Sequence, residues 1–300
     1  MSHFHTFKSK KLRSAGRIFF AFVMLMLLCA CTPQASTMKT GQKLVWSDEF
    51  NYKGLPDPAK WKYEVGGGGY GNHEAQFYTE NRAENARVEG GNLIIEVRKE
   101  NWGKNKYTSA RLLTRGKHSW KYGTFEIRAK LPKGRGTWPA IWMMSEKMKN
   151  WPDDGELDIM EHVGYHQGFI HATAHTKKYN HVINTQKTDT IEVKDASEKF
   201  HVYKMIWTPE KIEMYVDATK YYTYKNAEKT YDAWPFDQPF FLLLNFAVGG
   251  DWGGKEGLTM QFFRRNFMWI MCGFINREEG YRVFGASEAS GDTVEVKYNS

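Results

Sequence analysis

The sequence predicts an all-β fold, a sandwich or barrel of short antiparallel strands in a single domain, and three observations predict it. Apolar residues recur with a period of two in several segments, turn-forming clusters separate those segments at near-regular spacing, and no long amphipathic helical pattern occurs. In chain order the strand segments are 93–98, 123–131, 200–207, 211–216 and 240–248. Turns at 89–92, 132–135 and 216–219 punctuate them with Gly, Pro, Asn and Asp. Of the 300 residues 41% are apolar and 25% charged, which suffices for a buried core and excludes a disordered or collagen-like chain. The 15% aromatic content suits stacking on sugars or bases as well as packing within sheets.

Residues 1–31 form a targeting segment rather than part of the fold. Lys8, Lys10, Lys11, Arg13 and Arg17 make a basic start, and the apolar run 18–28 is too short to span a bilayer. The segment ends Leu28-Cys29-Ala30-Cys31 and resembles a bacterial lipoprotein signal, in which Cys31 becomes the lipidated first residue. Thr32, where an Asp would favour the inner membrane, points to the outer membrane or cell surface, and residues 32–42 form a polar tether. Membrane contact is then expected through the lipid alone, with the protein otherwise a monomer. Removing the five basic leader residues from 42 leaves 37 against 34 acidic, so the net charge falls from +8 to +3. No concentrated basic stripe remains, which argues against a nucleic-acid partner.

Cys29 leaves with the leader, Cys31 is the anchor and Cys272 has no partner, so no disulfide framework is expected. Zinc-ligand spacings, a phosphate-binding loop and a dinucleotide glycine pattern are all missing from the sequence. The run Gly66-Gly-Gly-Gly-Tyr-Gly71 reads as a flexible surface loop.

The segment that carries chemistry is Gly155-Glu-Leu-Asp-Ile-Met-Glu-His-Val-Gly164. Simple alternation places Glu156, Asp158, Met160 and His162 on one face and buries Glu161 beside Leu157 and Ile159, which is costly for an unpaired carboxylate. One extra residue near Met160, a β-bulge, turns Met160 inward and brings Glu156, Asp158 and Glu161 onto one face. Three adjacent carboxylates repel, so at least one has a raised pKa and stays protonated near neutral pH. A retaining glycosidase needs such a pair, one ionised nucleophile and one protonated acid about 5–5.5 Å apart. A solvated acidic face or a calcium site is the simpler alternative for this segment taken alone.

Its neighbours favour chemistry. In Ile170-His-Ala-Thr-Ala-His-Thr176 alternation puts His171, Thr173 and His175 on one face, and in Trp138-Pro-Ala-Ile-Trp-Met-Met144 it puts Trp138 and Trp142 on one face with Ile141 and Met143 on the other. Rings beside polar groups suit a carbohydrate cleft, since sugar C–H faces pack on rings while hydroxyls take hydrogen bonds. Each Trp singly is equally well explained by the core.

Together the stretch Glu156-Leu-Asp-Ile-Met-Glu161 and the upstream Trp138-Pro-Ala-Ile-Trp142 resemble glycoside hydrolase family 16, and the spacing with its extra Met is similar to the laminarinase-type endo-β-1,3-glucanase branch. The resemblance runs from about Leu44 to Gly257 through Trp46-Ser-Asp-Glu-Phe50, Asn72-His-Glu-Ala-Gln-Phe-Tyr78, Ser109-Ala-Arg111, Tyr122-Gly-Thr-Phe-Glu126, His175-Thr with Tyr179-Asn-His181, and Gly249-Gly-Asp-Trp-Gly-Gly254. It implies a β-jelly roll of two curved antiparallel sheets with a concave substrate cleft, spanning residues 43–258. It further implies Glu156 as nucleophile, Asp158 as assisting carboxylate and Glu161 as acid/base, with His175 close to Glu161 and tuning it. Asn72, Glu74, Arg111, Trp138, Trp142 and Trp252 would line glucan subsites, with Asn180, His181 and Gln186 as further contacts. No cofactor is required; a structural calcium would use Glu49, the backbone near Gly91 and an Asp on the final strand. The same fold also hosts enzymes of mixed-linkage glucan and of marine galactans, and a noncatalytic glucan-binding sandwich would keep the rings without the carboxylate pair.

The chain departs from that pattern after Leu258. Residues 259–277 have no clean period and set Arg264 and Arg265 among hydrophobes, where an alternating closing strand is expected. Met and Trp have single codons, so the neighbouring frame of 268–272 is forced to Val-Asp, then Tyr, His or Asn, then Val. Permissible codons extend this to Asp-Asp-Ala-Ile-Phe-Pro-Ala-Glu-Phe-Tyr-Val-Asp-Tyr-Val-Arg-Val-Tyr-Gln, strongly similar to the family's terminal strand. One nucleotide lost near the Thr259 codon would place 259–300 out of frame. In that case a sheet is expected to lose its final strand, its neighbours to gain exposed edges, and calcium to lose a ligand.

Overall fold

β-branched and aromatic residues alternating with polar ones make strands along nearly the whole chain. The structure is a computed structural model and describes residues 42–259, 267–278 and 283–285. Leader, Cys31 and almost all of the tether lie outside the described residues. Among these the only helical piece is a 3-10 turn, His181–Ile183.

One eight-stranded sheet runs in spatial order β17 (Thr219–Lys225), β16 (Lys211–Val216), β15 (His201–Trp207), β10 (Gly123–Lys130), β19 (Phe267–Glu278), β5 (Asn92–Glu96) and β4 (Ala86–Glu89), with β1 (Gln42–Asp48) also paired to β19. A nine-stranded sheet runs β14 (Lys187–Glu192), β13 (Phe169–His175), β12 (Glu156–His162), β11 (Thr137–Ser145), β18 (Phe240–Val248), β8 (Arg111–Leu113) and β2 (Lys62–Tyr63), with β9 (His118–Trp120) on β18 and β20 (Val283–Gly285) on β9. β3 (Gln76–Tyr78), β7 (Asn105–Ser109) and β6 (Arg98–Trp102) form a small third sheet. Both large sheets are antiparallel, and strands distant in sequence, such as β11 and β18, lie side by side, as in a jelly roll.

Alternation explains the packing. Phe125 and Ile127 of β10, Tyr203, Met205 and Trp207 of β15, and Leu93 and Ile95 of β5 enter one continuous core. Ile141 and Met143 of β11, Leu157, Ile159 and Met160 of β12, and Phe240, Leu242, Leu244 and Phe246 of β18 meet them from the second sheet. The polar face of that second sheet is left to carry the site.

Strands expected at 211–216 and 240–248 are present at those bounds, whereas the one expected at 93–98 breaks at Val97 and continues as β6 in the third sheet. The glycine run is not a loose loop. Gly66 exchanges backbone hydrogen bonds with Tyr78 at 3.1 and 2.7 Å, Asn105 Nδ2 donates to Gly67 O, and the Tyr70 ring packs on Tyr78. Glycine here lets the backbone approach β3 closely: a Cβ on Gly67 would lie 2.6 Å from the Phe77 ring.

The C-terminal segment also differs from expectation. The final-strand position is filled, because Phe267–Glu278 pairs antiparallel with β10, β5 and β1, for example Phe125 with Ile275, Ile94 with Trp269 and Asp48 with Gly273. Ladder bonds use backbone N–H and C=O, which every residue but Pro offers, and 267–278 contain no Pro.

Candidate active site

β12 carries the three acids. Glu156 stands opposite Met144 and Asp158 opposite Trp142, but the next rungs are Met160 with Ile141 and Glu161 with Ala140, so Ile159 is the extra residue of a bulge. Leu157, Ile159 and Met160 are all fully buried in the core, and Glu156, Asp158 and Glu161 share the opposite face. The expected kink is thus present, one residue before Met160. Gly155 starts the strand at φ +87°, where a Cβ would strike Pro235 and Phe236 at 2.8 and 2.9 Å.

Each outer carboxylate takes one indole N–H. Trp151 Nε1 donates to Glu156 Oε2 at 2.9 Å and Trp138 Nε1 to Glu161 Oε1 at 2.9 Å. Burial raises the pKa of Glu156, but the Trp151 N–H, the Arg111 charge and a hydrogen bond with Asp158 pull it back. Burial raises Glu161 too, and there the Trp138 N–H is opposed by the negative charges of Glu156 and Glu74. Asp158 is pushed well above the carboxylate range by burial and then by the charges of Glu156 and Glu161. The asymmetry leaves Glu156 the easier to ionise and Glu161 the better proton donor.

The histidines are arranged differently from the family expectation. Across the ladder Glu156 faces His175, Asp158 faces Thr173 and Glu161 faces His171. His175 therefore stands by the Glu156 end, its Nε2 3.4 Å from Asp158 Oδ2 and 4.0 Å from Glu156 Oε1. Antiparallel register counts β13 backwards, which is why the later histidine meets the earlier acid. Burial pushes His175 down to about 3 and His171 down to about 4, so both are neutral imidazoles at neutral pH.

Aromatic rings flank both ends. At the Glu161 end Trp138, Trp252 and His171 form a chain of edge-to-face contacts, with centroids 5.4 and 5.0 Å apart. Gly250, at φ +75°, lets the Trp252 loop lie against Trp138, since a Cβ there would sit 2.9 Å from Asn72 O. At the Glu156 end the Trp151 ring meets His181 at 4.9 Å and His175 at 5.7 Å. Beside them Arg111 lies 4.6 Å from the Trp142 ring and 5.0 Å from Tyr70, and pairs with Glu64 at 3.0 Å. Trp142 Nε1 donates to Asn245 Oδ1 at 2.6 Å, Asn245 Nδ2 to Tyr78 OH, and Tyr78 OH to Glu74 Oε2. Glu74 also accepts from Gln76 at 2.6 Å and from Asn72 at 3.4 Å.

Two expected contacts are placed less favourably. Asn180 is buried and spends its side chain at home, donating to Thr176 O and Lys177 O and accepting from Val182 N. Gln186 is half-buried just before β14, its Oε1 without a partner. Trp151, Asn245 and Tyr70 join the constellation without a site role expected from the sequence, together with His171, which alternation sets on the His175 face, and Tyr78. Trp151 had a usable signal, an aromatic beside Pro152 just ahead of the acidic strand.

Replacing Trp151 by Phe removes the N–H that favours ionised Glu156. The acidic limb of the kcat/KM profile should move to higher pH by up to about one unit while the alkaline limb stays. An unmoved acidic limb would show that the indole N–H does not act on the ionisation of Glu156.

The sequence pattern of glycosyl hydrolases family 16 matches residues 73–270. The chain belongs to that family. It is 56% identical over 230 residues to a β-glucanase of Rhodothermus marinus, covering 74% of this chain and 80% of that one. The crystal structure of the laminarinase from Rhodothermus marinus matches with a TM-score of 0.77 and 53% identity, covering 79% of this chain and 98% of that one. A glucan endo-1,3-β-glucosidase of Cryptopygus antarcticus is 37% identical over 254 residues, covering 79% and 89%. The family match reaches twelve residues past Leu258, into the segment whose side-chain pattern departs from it.

Calcium does not fit the residues proposed for it. Glu49 is exposed, Gly91 lies in the β4–β5 turn, and 267–278 contain no Asp. Without that Asp the implied ligand set keeps a single carboxylate among the six to eight oxygens that the ion takes.

Proposed function

We propose that this family 16 glycoside hydrolase is an exported, lipid-anchored endo-β-1,3-glucanase that cleaves laminarin-type β-glucan with retention of configuration. The observation that carries the reading is the single face holding Glu156, Asp158 and Glu161, each outer acid fixed by its own indole N–H, in a chain similar to named β-glucanases.

A glucan lying along the rings of Trp138, Trp252 and Trp151 presents a glycosidic oxygen to Glu161. Protonated Glu161 gives its proton to that oxygen as the C–O bond breaks, and Glu156 attacks the anomeric carbon to form a glycosyl ester. Asp158, kept protonated by burial and by the charges beside it, donates to Glu156 and holds it ionised and aimed. Glu161, now a carboxylate, takes a proton from water, whose oxygen releases the ester. Two inversions give net retention.

Digestion of laminarin, lichenan and agarose side by side tests the substrate. Reducing ends should accumulate fastest from laminarin, with early products several sugars long; faster release from lichenan or agarose would replace the assignment. Proton NMR of the first products reports the anomer, and an inverted product would exclude the ester. For the anchor, Cys31→Ser should shift the protein from the membrane to the soluble fraction of an expressing bacterium, and unchanged partitioning would remove it.

A further inference from the structure

We propose that Glu156, Asp158 and His175 form an inhibitory binding site for a borderline transition dication such as Zn²⁺. The cross-strand rung that seats His175 opposite Glu156 brings one imidazole and two carboxylates together, with one donor atom of each within 4.8 Å of the others. His175 Nε2 lies 3.4 Å from Asp158 Oδ2 and 4.0 Å from Glu156 Oε1. Tetrahedral zinc with bonds of about 2.0–2.2 Å needs donors roughly 3.4 Å apart. The His175–Asp158 edge already has that length, the His175–Glu156 edge has to close by about 0.6 Å, and the donor oxygens of Glu156 and Asp158 lie within 4.8 Å of each other.

A second observation is independent of the clustering. Asp158 is 2% exposed, and its Oδ2, on the side facing His175 Nε2, has no hydrogen-bond partner. Buried acceptors are nearly always satisfied, and a dication in this corner satisfies this one. The Trp151 N–H engages Oε2 of Glu156 and leaves Oε1 for the ion. The Glu156 side chain is 15% exposed, so the corner opens to the cleft and water can take the fourth position. One nitrogen and two carboxylate oxygens favour Zn²⁺, Co²⁺ or Cu²⁺ over Ca²⁺ and Mg²⁺, which select oxygen alone. Bound there, the ion ties up the oxygen that attacks the anomeric carbon and excludes the sugar. That consequence rests on the proposed function; the binding does not.

The test uses the mature chain without a histidine tag, stripped with chelator and titrated calorimetrically with Zn²⁺. Co²⁺ serves as the spectroscopic probe of coordination. One equivalent should bind with the visible absorption of four-coordinate cobalt, unaffected by excess Ca²⁺. Asp158→Asn and His175→Gln, checked for folding by near-ultraviolet circular dichroism, should each weaken Zn²⁺ binding at least tenfold. Glu161→Gln, which removes no ligand, should bind as the parent does although it no longer hydrolyses glucan, so failure of the metal site and failure of the hydrolase reading are separable. Unchanged affinity in both ligand variants, absence of saturable binding at millimolar Zn²⁺, or Zn²⁺ inhibition that laminarin does not compete away would overturn the proposal.

Discussion

Glu161→Gln is expected to lower kcat on laminarin by about four orders of magnitude, and Glu156→Gln to lower it at least as far, with the fold intact in both. Each amide keeps the shape of the side chain and an acceptor for the indole N–H of Trp138 or Trp151, so the rings around it have no reason to move. The two variants fail at different steps. Without Glu161 no proton reaches the leaving oxygen, so an activated aryl glucoside, whose leaving group needs none, should still form the ester. Without Glu156 no ester forms with any leaving group. Near-normal turnover of laminarin in either variant would exclude the assignment.

The same substitution predicts a change in stability with a definite sign. Burial raises the pKa of folded Glu161 above that of the unfolded chain. Its contribution is therefore fully present below the unfolded pKa and lost as pH rises through the folded one. Glu161→Gln removes that loss, so the variant should melt above the parent on the alkaline side, and the gap should shrink as pH falls. An active site that trades stability for chemistry behaves in this way.

Restoring the reading frame after Leu258 is the second change with a large expected effect. β19 is hydrogen-bonded to β10, β5 and β1, so it lies inside the sheet rather than at an edge. Its backbone can fill that position with almost any sequence, but an interior strand of a sandwich gains stability from β-branched and aromatic side chains. With permissible codons the neighbouring frame can supply Phe-Tyr-Val-Asp-Tyr-Val-Arg-Val-Tyr, rich in β-branched and aromatic residues, where the present frame supplies Phe267-Met-Trp-Ile-Met-Cys-Gly-Phe-Ile-Asn-Arg-Glu278 with a Gly at its middle. We propose that one nucleotide is missing near the Thr259 codon. Reinserting it should stabilise the protein by about 4 kcal/mol or more, roughly 10 °C in thermal midpoint. It should also make the midpoint respond to calcium, since the recovered strand carries an Asp. A clean resequencing read that confirms the present frame, or a restored chain that melts no higher, would remove the idea.

Much of this is legible in the sequence. The strands at 211–216 and 240–248, the inward Ile141 and Met143 against the outward Trp138 and Trp142, and the bulge that rescues Glu161 from the core all follow from side-chain period alone. Period two is a property of the chain's own backbone, and a buried carboxylate costs too much to be placed by accident. The tethering of the glycine run and the filling of the final-strand position were not legible, because both depend on backbone bonds to segments far along the chain.

The sequence by itself determined the all-β class, the shared face of Glu156, Asp158 and Glu161 and the family, because those are matters of local spacing and of which side chains tolerate burial. Only the tertiary structure decided that His175 stands by Glu156 and Asp158 while His171 faces Glu161, that the Trp151 N–H reaches Glu156, and that Asn180 is spent inside its own loop. Register between strands and the path of a turning loop are set by the whole packed sandwich, so no window of residues contains them.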